Sequence, residues 1–394
     1  MEKHILLVTY TKRLARERMI AIISAFMLSL FMHQPAHAQK AQIHPSLDYK
    51  IKVDVLTNKL DTPWGMAFLP DGSMLITERG GTIRRFQNGE LTKPLKGVPK
   101  VATKGQGGLL DVTIDPDFET NNYVYLSFSE PGKKGAGTAV ARGQLNGQTF
   151  ENMTVIYRQN NKTRSGLHFG SRLVFAKDGT LFVTHGDRGK GKRAQDPFDH
   201  AGSLVRINKD GSIPLDNPFA DGEKALPEIW SIGHRNMQGA TTHPKTGDLW
   251  TVEHGARGGD EINKPQAAKN YGWPVISYGR HYSGLKIGEG TTKQGLEQPR
   301  YFWDPSIAPS GLAFYQGEAF EKWNGDLFVG SLKFQMLTRL KMQGDKIINE
   351  ERLLAGEYGR IRDVRSGPDG AIYLLTDDEE GMLLKLTPLN QANK

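Results

Sequence analysis

Between Pro63 and Pro388 apolar and polar positions alternate in short runs, and one phrase recurs six times: an alternating run, a turn built on Asp-Gly or a near equivalent, and a second alternating run. The clearest copies run from Gly65 to Thr77 through Pro70-Asp71-Gly72, and from Leu173 to Thr184 through Asp178-Gly179. The other four turn at Asp115-Pro116-Asp117, Thr246-Gly247-Asp248, Asn324-Gly325-Asp326 and Pro368-Asp369-Gly370. Period-two alternation puts successive side chains on opposite sides of a strand, and Asp-Gly supplies the positive-φ positions of a tight turn, so each phrase reads as a β-hairpin. The turns recur at intervals of roughly 44 to 78 residues. That spacing is too wide for a solenoid and suits four-stranded blades with loop insertions. The pattern therefore predicts an all-β fold, a six-bladed β-propeller of four-stranded antiparallel blades.

The first 38 residues have a different pattern. Lys12, Arg13, Arg16 and Arg18 precede an uncharged apolar stretch from Met19 to Phe31, and Ala36-His37-Ala38 has the small-residue form of a cleavage site. This reads as a secretory signal peptide cut between Ala38 and Gln39. The apolar stretch is shorter than the roughly 20 residues that a spanning helix needs. No later stretch is apolar enough to cross a bilayer. The expectation is a soluble, exported, periplasmic protein whose residues 39–394 form one closed propeller.

The net charge of +8 falls to about +5 without the signal segment, a modest excess, and no basic helix or aromatic-interleaved RNA motif accompanies it. Nucleic acid is not an expected partner; a small polyanionic ligand is compatible. Cysteine is absent, which excludes thiol catalysis, thiolate metal sites and iron–sulfur clusters. Redox chemistry would then need a borrowed cofactor.

Propeller loops gather on the two faces of the disc, and five sets depart from simple turn chemistry. Lys104–Asp111 is glycine-rich and includes Gln106, but it lacks the lysine and hydroxyl of a phosphate loop. Ser165–Arg172 places His168 on a glycine-flanked loop, the position of a general base or of a satisfied structural histidine. Arg235-Asn236 offers planar donors to an oxyanion or carboxylate, or half of an inter-blade salt bridge. Glu253–Asn263, followed by Asn270-Tyr271-Gly272-Trp273-Pro274, combines acids with glycine carbonyls. That is an oxygen-ligand setting for a hard cation such as Ca²⁺, or a solvated acidic loop, and it has neither EF-hand nor zinc spacing. Finally Lys333 and the pair Arg360 and Arg362 lie at blade edges. The two arginines, two apart, point to one side, which is costly unless an anion or carboxylates sit between them; the alternative is a solvated edge.

In order and spacing, Gly105–Leu110, the His168 loop, Arg235-Asn236, Asp260–Asn263, Asn270–Pro274, Ser331–Lys333 and Arg360–Val364 resemble the soluble periplasmic aldose sugar dehydrogenases that use pyrroloquinoline quinone, relatives of soluble quinoprotein glucose dehydrogenase. The resemblance spans about Leu60 to Pro388. It implies oxidation of the anomeric carbon of aldoses to lactones, with pyrroloquinoline quinone and Ca²⁺ as cofactors and an external electron acceptor that it does not identify. It makes His168 the general base and Arg235 the residue that stabilises charge on the quinone oxygen. Gln106, Arg235, Asn236, Lys333, Arg360 and Arg362 become cofactor contacts. Gly255 and Ala256 become carbonyl ligands of the catalytic calcium, and Glu261 and Tyr271 ligands of a structural one. In one place the chain departs from the glucose-oxidising relatives: Leu167 stands before the histidine where they carry an aspartate. A more open pocket and broad aldose acceptance are expected. Two other readings stay open at this level, a calcium-dependent propeller lactonase or esterase and a non-enzymatic binding propeller.

Overall fold

The computed structural model describes residues 41–389; the expected signal segment lies outside them. All six expected hairpins form, and each is the inner hairpin of a blade. Blade 1 comprises Pro63–Phe68, Met74–Glu78, Thr82–Gln87 and Glu90–Leu91, and blade 2 Leu109–Ile114, Tyr123–Gly132, Gly135–Asn146 and Thr149–Arg158. Blade 3 is built from Leu173–Phe175, Leu181–Thr184, Ser203–Ile207 and Ile229–Ile232, and blade 4 from Met237–Thr242, Leu249–Glu253, Asp260–Asn263 and Tyr301–Trp303. Blade 5 holds Pro309–Phe314, Leu327–Ser331, Met336–Gln343 and Lys346–Leu353.

Blade 6 joins the two ends of the chain. Ile361–Ser366, Ile372–Thr376 and Gly381–Pro388 are completed by Lys50–Leu60 and, outermost, Gln42–Pro45. Lys50–Leu60 runs antiparallel to Gly381–Pro388, with Ile51 opposite Pro388 and Val55 opposite Leu384. This pairing closes the ring, so that neither end leaves an open sheet edge along its inner strands. Two blades therefore exceed the expected four strands. The second is blade 3, where Lys269–Asn270 adds a short parallel strand to Ile229–Ile232. It belongs to the long insertion between Asn263 and Tyr301, which covers the edge of the neighbouring blade.

The core is interleaved between blades. One cluster packs Ala313, Phe328 and Leu337 of blade 5 on Ile51, Val364, Leu374 and Leu384 of blade 6; another packs Leu75 and Ile83 of blade 1 on Val112, Leu126 and Ala141 of blade 2. Each of the larger apolar side chains among them contributes about 1.5–3 kcal/mol when fully buried. Along the central axis the inner strands carry charge. Arg172 reaches Asp111 and Asp363 at 3.0 Å each, and Arg365 reaches Asp111 at 2.9 Å and Asp363 at 3.0 Å. Arg172 Nε also donates to the Gln238 carbonyl at 2.7 Å. Two cations and two anions thus neutralise one another while tying blades 2, 3, 4 and 6 together.

A cationic groove on one face of the disc

Antiparallel pairing places the entry of each first strand and the exit of each second strand at the same end of a blade. The loops expected to carry chemistry are of these two kinds. Gln106, His168, Arg235 and Arg360 precede first strands, whereas Asp187, Gly255, Lys333 and Asp377 follow second strands. Two adjoining cavities open there. The first, about 590 Å³, is lined by Trp64, Gln106, Gln238, Arg360, Arg362 and Asp377 among others. The second, about 710 Å³, is lined by Gly255, Ala256, Arg257, Arg280 and Lys333 among others. His254 and Ala308 border both, so the cavities form one groove.

His168 sits beside the first cavity with φ +51, a left-handed conformation that costs a non-glycine residue about 1 kcal/mol or more. Three contacts hold it there. Gln106 Oε1 accepts from His168 N–H at 2.7 Å, Arg188 donates to the Leu167 and Ser165 carbonyls from below, and Asp187 Oδ1 lies 2.6 Å from His168 Nδ1. Close approach of the neighbouring segment requires glycine: a Cβ at Gly186 would lie 2.3 Å from the His168 carbonyl oxygen. Asp187 also accepts from Gly189 N–H at 2.7 Å and Trp273 Nε1–H at 2.8 Å. Burial raises its pKa, but the His168 hydrogen bond and charge, the Arg235 charge and the Trp273 bond outweigh it, and the net shift is downward. A buried anion facing Nδ1 holds the imidazole proton on that nitrogen, which leaves the Nε2 lone pair free to accept one.

Arg235 is buried and has no carboxylate partner among the described residues. Its guanidinium donates to the carbonyl oxygens of Gly255 and His254, the latter at 3.1 Å, and lies over the Trp273 ring. Two main-chain oxygens therefore already converge on a cation in this loop. The inter-blade salt bridge considered for Arg235 is not formed; its main-chain N–H, not the guanidinium, donates to Glu253 Oε2. Asn236 is 1 % exposed, and its Oδ1 accepts from Gly170 N–H at 3.0 Å, so its oxygen is engaged in holding the histidine loop.

Arg360 and Arg362 do point to one side, and the group between them is a carboxylate of the chain itself. Asp377 accepts from Arg360 at 2.8 and 2.9 Å and lies 2.9 Å from Arg362. Burial pulls the Arg362 pKa below the ordinary arginine value against the opposing pull of Asp377. Across the first cavity Arg79, Arg360 and Arg362 are balanced by Asp377, Asp378 and Glu379, so the surplus positive charge of the groove lies at the second cavity. Lys333 is exposed there, without an ion-pair partner among the described residues. Asp378 and Glu379 stand on the wall of the first cavity.

Glu261 and Tyr271 lie behind the groove rather than on it. Glu261 faces Glu253 across the blade 4 ladder, and burial together with the Glu253 charge lifts its pKa well above the usual carboxylate range. Glu253 is satisfied by His234 Nδ1 at 2.9 Å and Asn263 Nδ2 at 3.0 Å, whereas the buried Asn263 Oδ1 has no partner. An excess carboxylate and an orphaned buried oxygen are a donor set suited to a cation. The Tyr271 hydroxyl donates to the Lys264 carbonyl at 2.9 Å and accepts from Gln266 N–H at 3.1 Å, so only the main chain of Tyr271 remains for such a role. No group of three or more His, Cys, Asp or Glu side chains is arranged to hold a metal among the described residues, so a cation here must lean on carbonyls.

Asp187, Asp377, Arg188 and His254 escaped the sequence reading. Asp187 had a local signal, since His185-Gly186-Asp187-Arg188-Gly189 is a second glycine-spaced polar loop. Asp377 had none, because its meaning depends on the blade 6 hairpin register.

A family model described as glucose/sorbosone dehydrogenase matches residues 60–385. The aldose sugar dehydrogenase YliI of Escherichia coli K12 is 48% identical over 347 residues, covering 86% of this chain and 94% of that protein. The crystal structure of the soluble aldose sugar dehydrogenase from Escherichia coli in the apo-form superposes with a TM-score of 0.84 at 47% identity, covering 86% of this chain and all (100%) of that one. The pyrroloquinoline-quinone-bound form of the Streptomyces coelicolor aldose sugar dehydrogenase gives a TM-score of 0.72 at 27% identity, covering 86% and 98%.

Proposed function

The chain belongs to the glucose/sorbosone dehydrogenase family, and from that premise we propose that it is a pyrroloquinoline-quinone-dependent aldose sugar dehydrogenase that oxidises the anomeric carbon of aldoses to lactones. The observation that carries the reading is the His168–Asp187 pair standing beside a groove lined by Arg360, Arg362 and Lys333.

The residues present fit both cofactors. A tricarboxylate calls for several cations in one groove, and Lys333, Arg360 and Arg362 provide them, with Gln106 on the wall and Arg235 buried behind it against the Gly255 carbonyl. The carbonyls of Gly255 and Ala256 border the second cavity beside Arg235 and suit a calcium ion. Glu261, with the main chain of Tyr271, suits a structural calcium. Asn236 acts through the histidine loop, by its bond to Gly170. When bound, the quinone accepts the hydrogen and electron pair that leave the anomeric carbon, and calcium polarises its reactive carbonyl.

His168 takes the proton of the anomeric hydroxyl at Nε2, and Asp187 stabilises the positive charge that grows on the ring. Arg235 would supply the positive charge that stabilises a bound quinone as it is reduced. Leu167 is 48% exposed, so the position that carries aspartate in the glucose-oxidising relatives offers the sugar an apolar edge. Export to the periplasm rests on the N-terminal sequence. Among the described residues no helix is long and apolar enough to cross a membrane.

The test is reconstitution of purified apoprotein with pyrroloquinoline quinone and Ca²⁺, followed by dye reduction with a panel of aldoses. Both additions are expected to be required. His168→Ala is expected to keep the cofactor and lower turnover by about 10²–10⁴-fold. Lactone hydrolysis by metal-loaded protein without quinone would overturn the proposal in favour of a propeller lactonase.

A further inference from the structure

The second cavity holds cations that the cofactor reading does not use. Arg257 and Arg280 face each other across an isolated antiparallel bridge, and Lys286 faces Arg280 across another. The Arg257 N–H donates to the Arg280 carbonyl at 2.9 Å. Residues directly opposite in an antiparallel pair carry their side chains on the same face, with Cβ atoms about 4.5–5.5 Å apart. Three cations therefore stand in a row. Like charges so placed repel, and the arrangement is stable only where solvent or an anion separates them. The chain offers them little: Glu289, in the same insertion, pairs with Lys293 at 2.9 Å and gives Lys286 only its main-chain oxygen.

Arg257 and Arg280 are exposed and line the cavity with Lys333, against one carboxylate, Asp304. Beside them Tyr282 is 75% exposed, a broad apolar face with a polar tip of the sort that seats an amphipathic ligand. The two cavities share His254 and Ala308, and Gln106, which holds the His168 main chain, lines the first, so the groove runs from the His168 loop towards this row.

We propose that Arg257, Arg280 and Lys286 form a substrate subsite for the anionic group of an acidic aldose, a carboxylate or phosphate carried at the end of the sugar remote from the anomeric carbon. The inference rests on the sugar-oxidation reading and narrows it to a substrate class. Guanidinium groups suit either anion, since both present oxygens to a planar fork of donors. Arg257 and Arg280 line the second cavity beside Lys333, Gly255 and Ala256 but are themselves assigned neither to proton transfer nor to the cofactor, so the row serves specificity.

The test compares kcat/KM for D-glucose, D-glucuronate and D-glucose 6-phosphate in the holoenzyme and in an Arg257→Ala/Arg280→Ala double variant. The unsubstituted enzyme is expected to favour at least one acidic sugar by about tenfold at low ionic strength, and the advantage is expected to shrink as salt is added. The variant is expected to lose that advantage while oxidising glucose at the original rate. Preference for glucuronate alone or for the phosphate alone identifies the anion. Calorimetric binding of the same sugars to cofactor-free protein gives a second reading, independent of turnover. Equal kcat/KM for glucose and both acidic sugars would overturn the subsite and leave the dehydrogenase intact. A variant that loses all three sugars together with cofactor affinity would assign the row to the quinone instead. If no aldose is oxidised, both proposals fall.

Discussion

Asp187→Asn isolates what the charge behind the catalytic histidine contributes. The side chain is 2% exposed and accepts three hydrogen bonds, two at Oδ1 from His168 and Gly189 and one at Oδ2 from Trp273. An asparagine of the same shape has one oxygen and one NH₂. With the oxygen at the Oδ1 position it keeps two acceptor contacts and sets its NH₂ against the Trp273 N–H. Turned over, it keeps the Trp273 bond and opposes Gly189 N–H, while its NH₂ donates to Nδ1 only if the imidazole proton moves to Nε2, which abolishes the base. In the first orientation the proton stays on Nδ1 and the imidazole remains a base at Nε2. What is lost is the anion that stabilises the imidazolium as the sugar proton arrives. A charge-assisted hydrogen bond is worth about 1.5–3 kcal/mol against about 0.5–1.5 for a neutral one, and coupling between unit charges at about 4 Å reaches ~4 kcal/mol at an effective dielectric of 20. A loss of about 1.5–3 kcal/mol lowers kcat roughly tenfold to a hundredfold. Asp187→Ala removes the orienting bond as well and is expected to fall further, towards the full 10²–10⁴-fold contribution of proton transfer. The assay is steady-state dye reduction at saturating quinone and calcium, with a quinone titration and a melting curve to establish loading and folding. A folded, loaded Asp187→Asn enzyme with kcat within twofold of the original would refute the dyad.

Three further outcomes are expected. Lys333→Ala weakens quinone binding about tenfold to a hundredfold, the worth of one charge-assisted bond to a carboxylate; an unchanged titration curve removes Lys333 from the cofactor set. Burial, then the His200 charge, holds the buried His185 well below its ordinary pKa. Below about pH 6.5 the unfolded chain takes a proton that the folded one refuses, so stability falls as pH drops through that value. Urea midpoints at pH 7.5 and 5.5 should therefore differ less in His185→Gln, and equal slopes in the two proteins would exclude His185 as the titrating group. Arg172→Met leaves Asp111 and Asp363 on the axis with Arg365 alone and is expected to cost about 3–5 kcal/mol, the usual penalty for breaking a buried ion cluster; a cost under about 1 kcal/mol would mean that Arg365 suffices.

The six hairpins were legible in the sequence because their information is local. Alternation and a positive-φ turn at Asp71-Gly72 or Asp178-Gly179 act within about a dozen residues, and six copies already dictate a ring. The loops that carry chemistry were legible for a related reason: first strands begin where Gln106, His168, Arg235 and Arg360 stand, so any propeller brings them to one face. Long-range pairing had no such signature. Lys50–Leu60 gives no sign that it will close the ring against Gly381–Pro388, and two residues of the insertion, Lys269 and Asn270, give none that they will join blade 3. The partners of the site residues belong to the same class. The arginine pair announced by its spacing needed a carboxylate, but only the fold of blade 6 could make it Asp377; His168 needed an orienting acid, and Asp187 comes from the exit of the neighbouring strand. Residue type and local period are properties of a segment. Charge compensation, cavity walls and the facing of Arg257 against Arg280 are properties of distances between segments, and only the packed disc sets those.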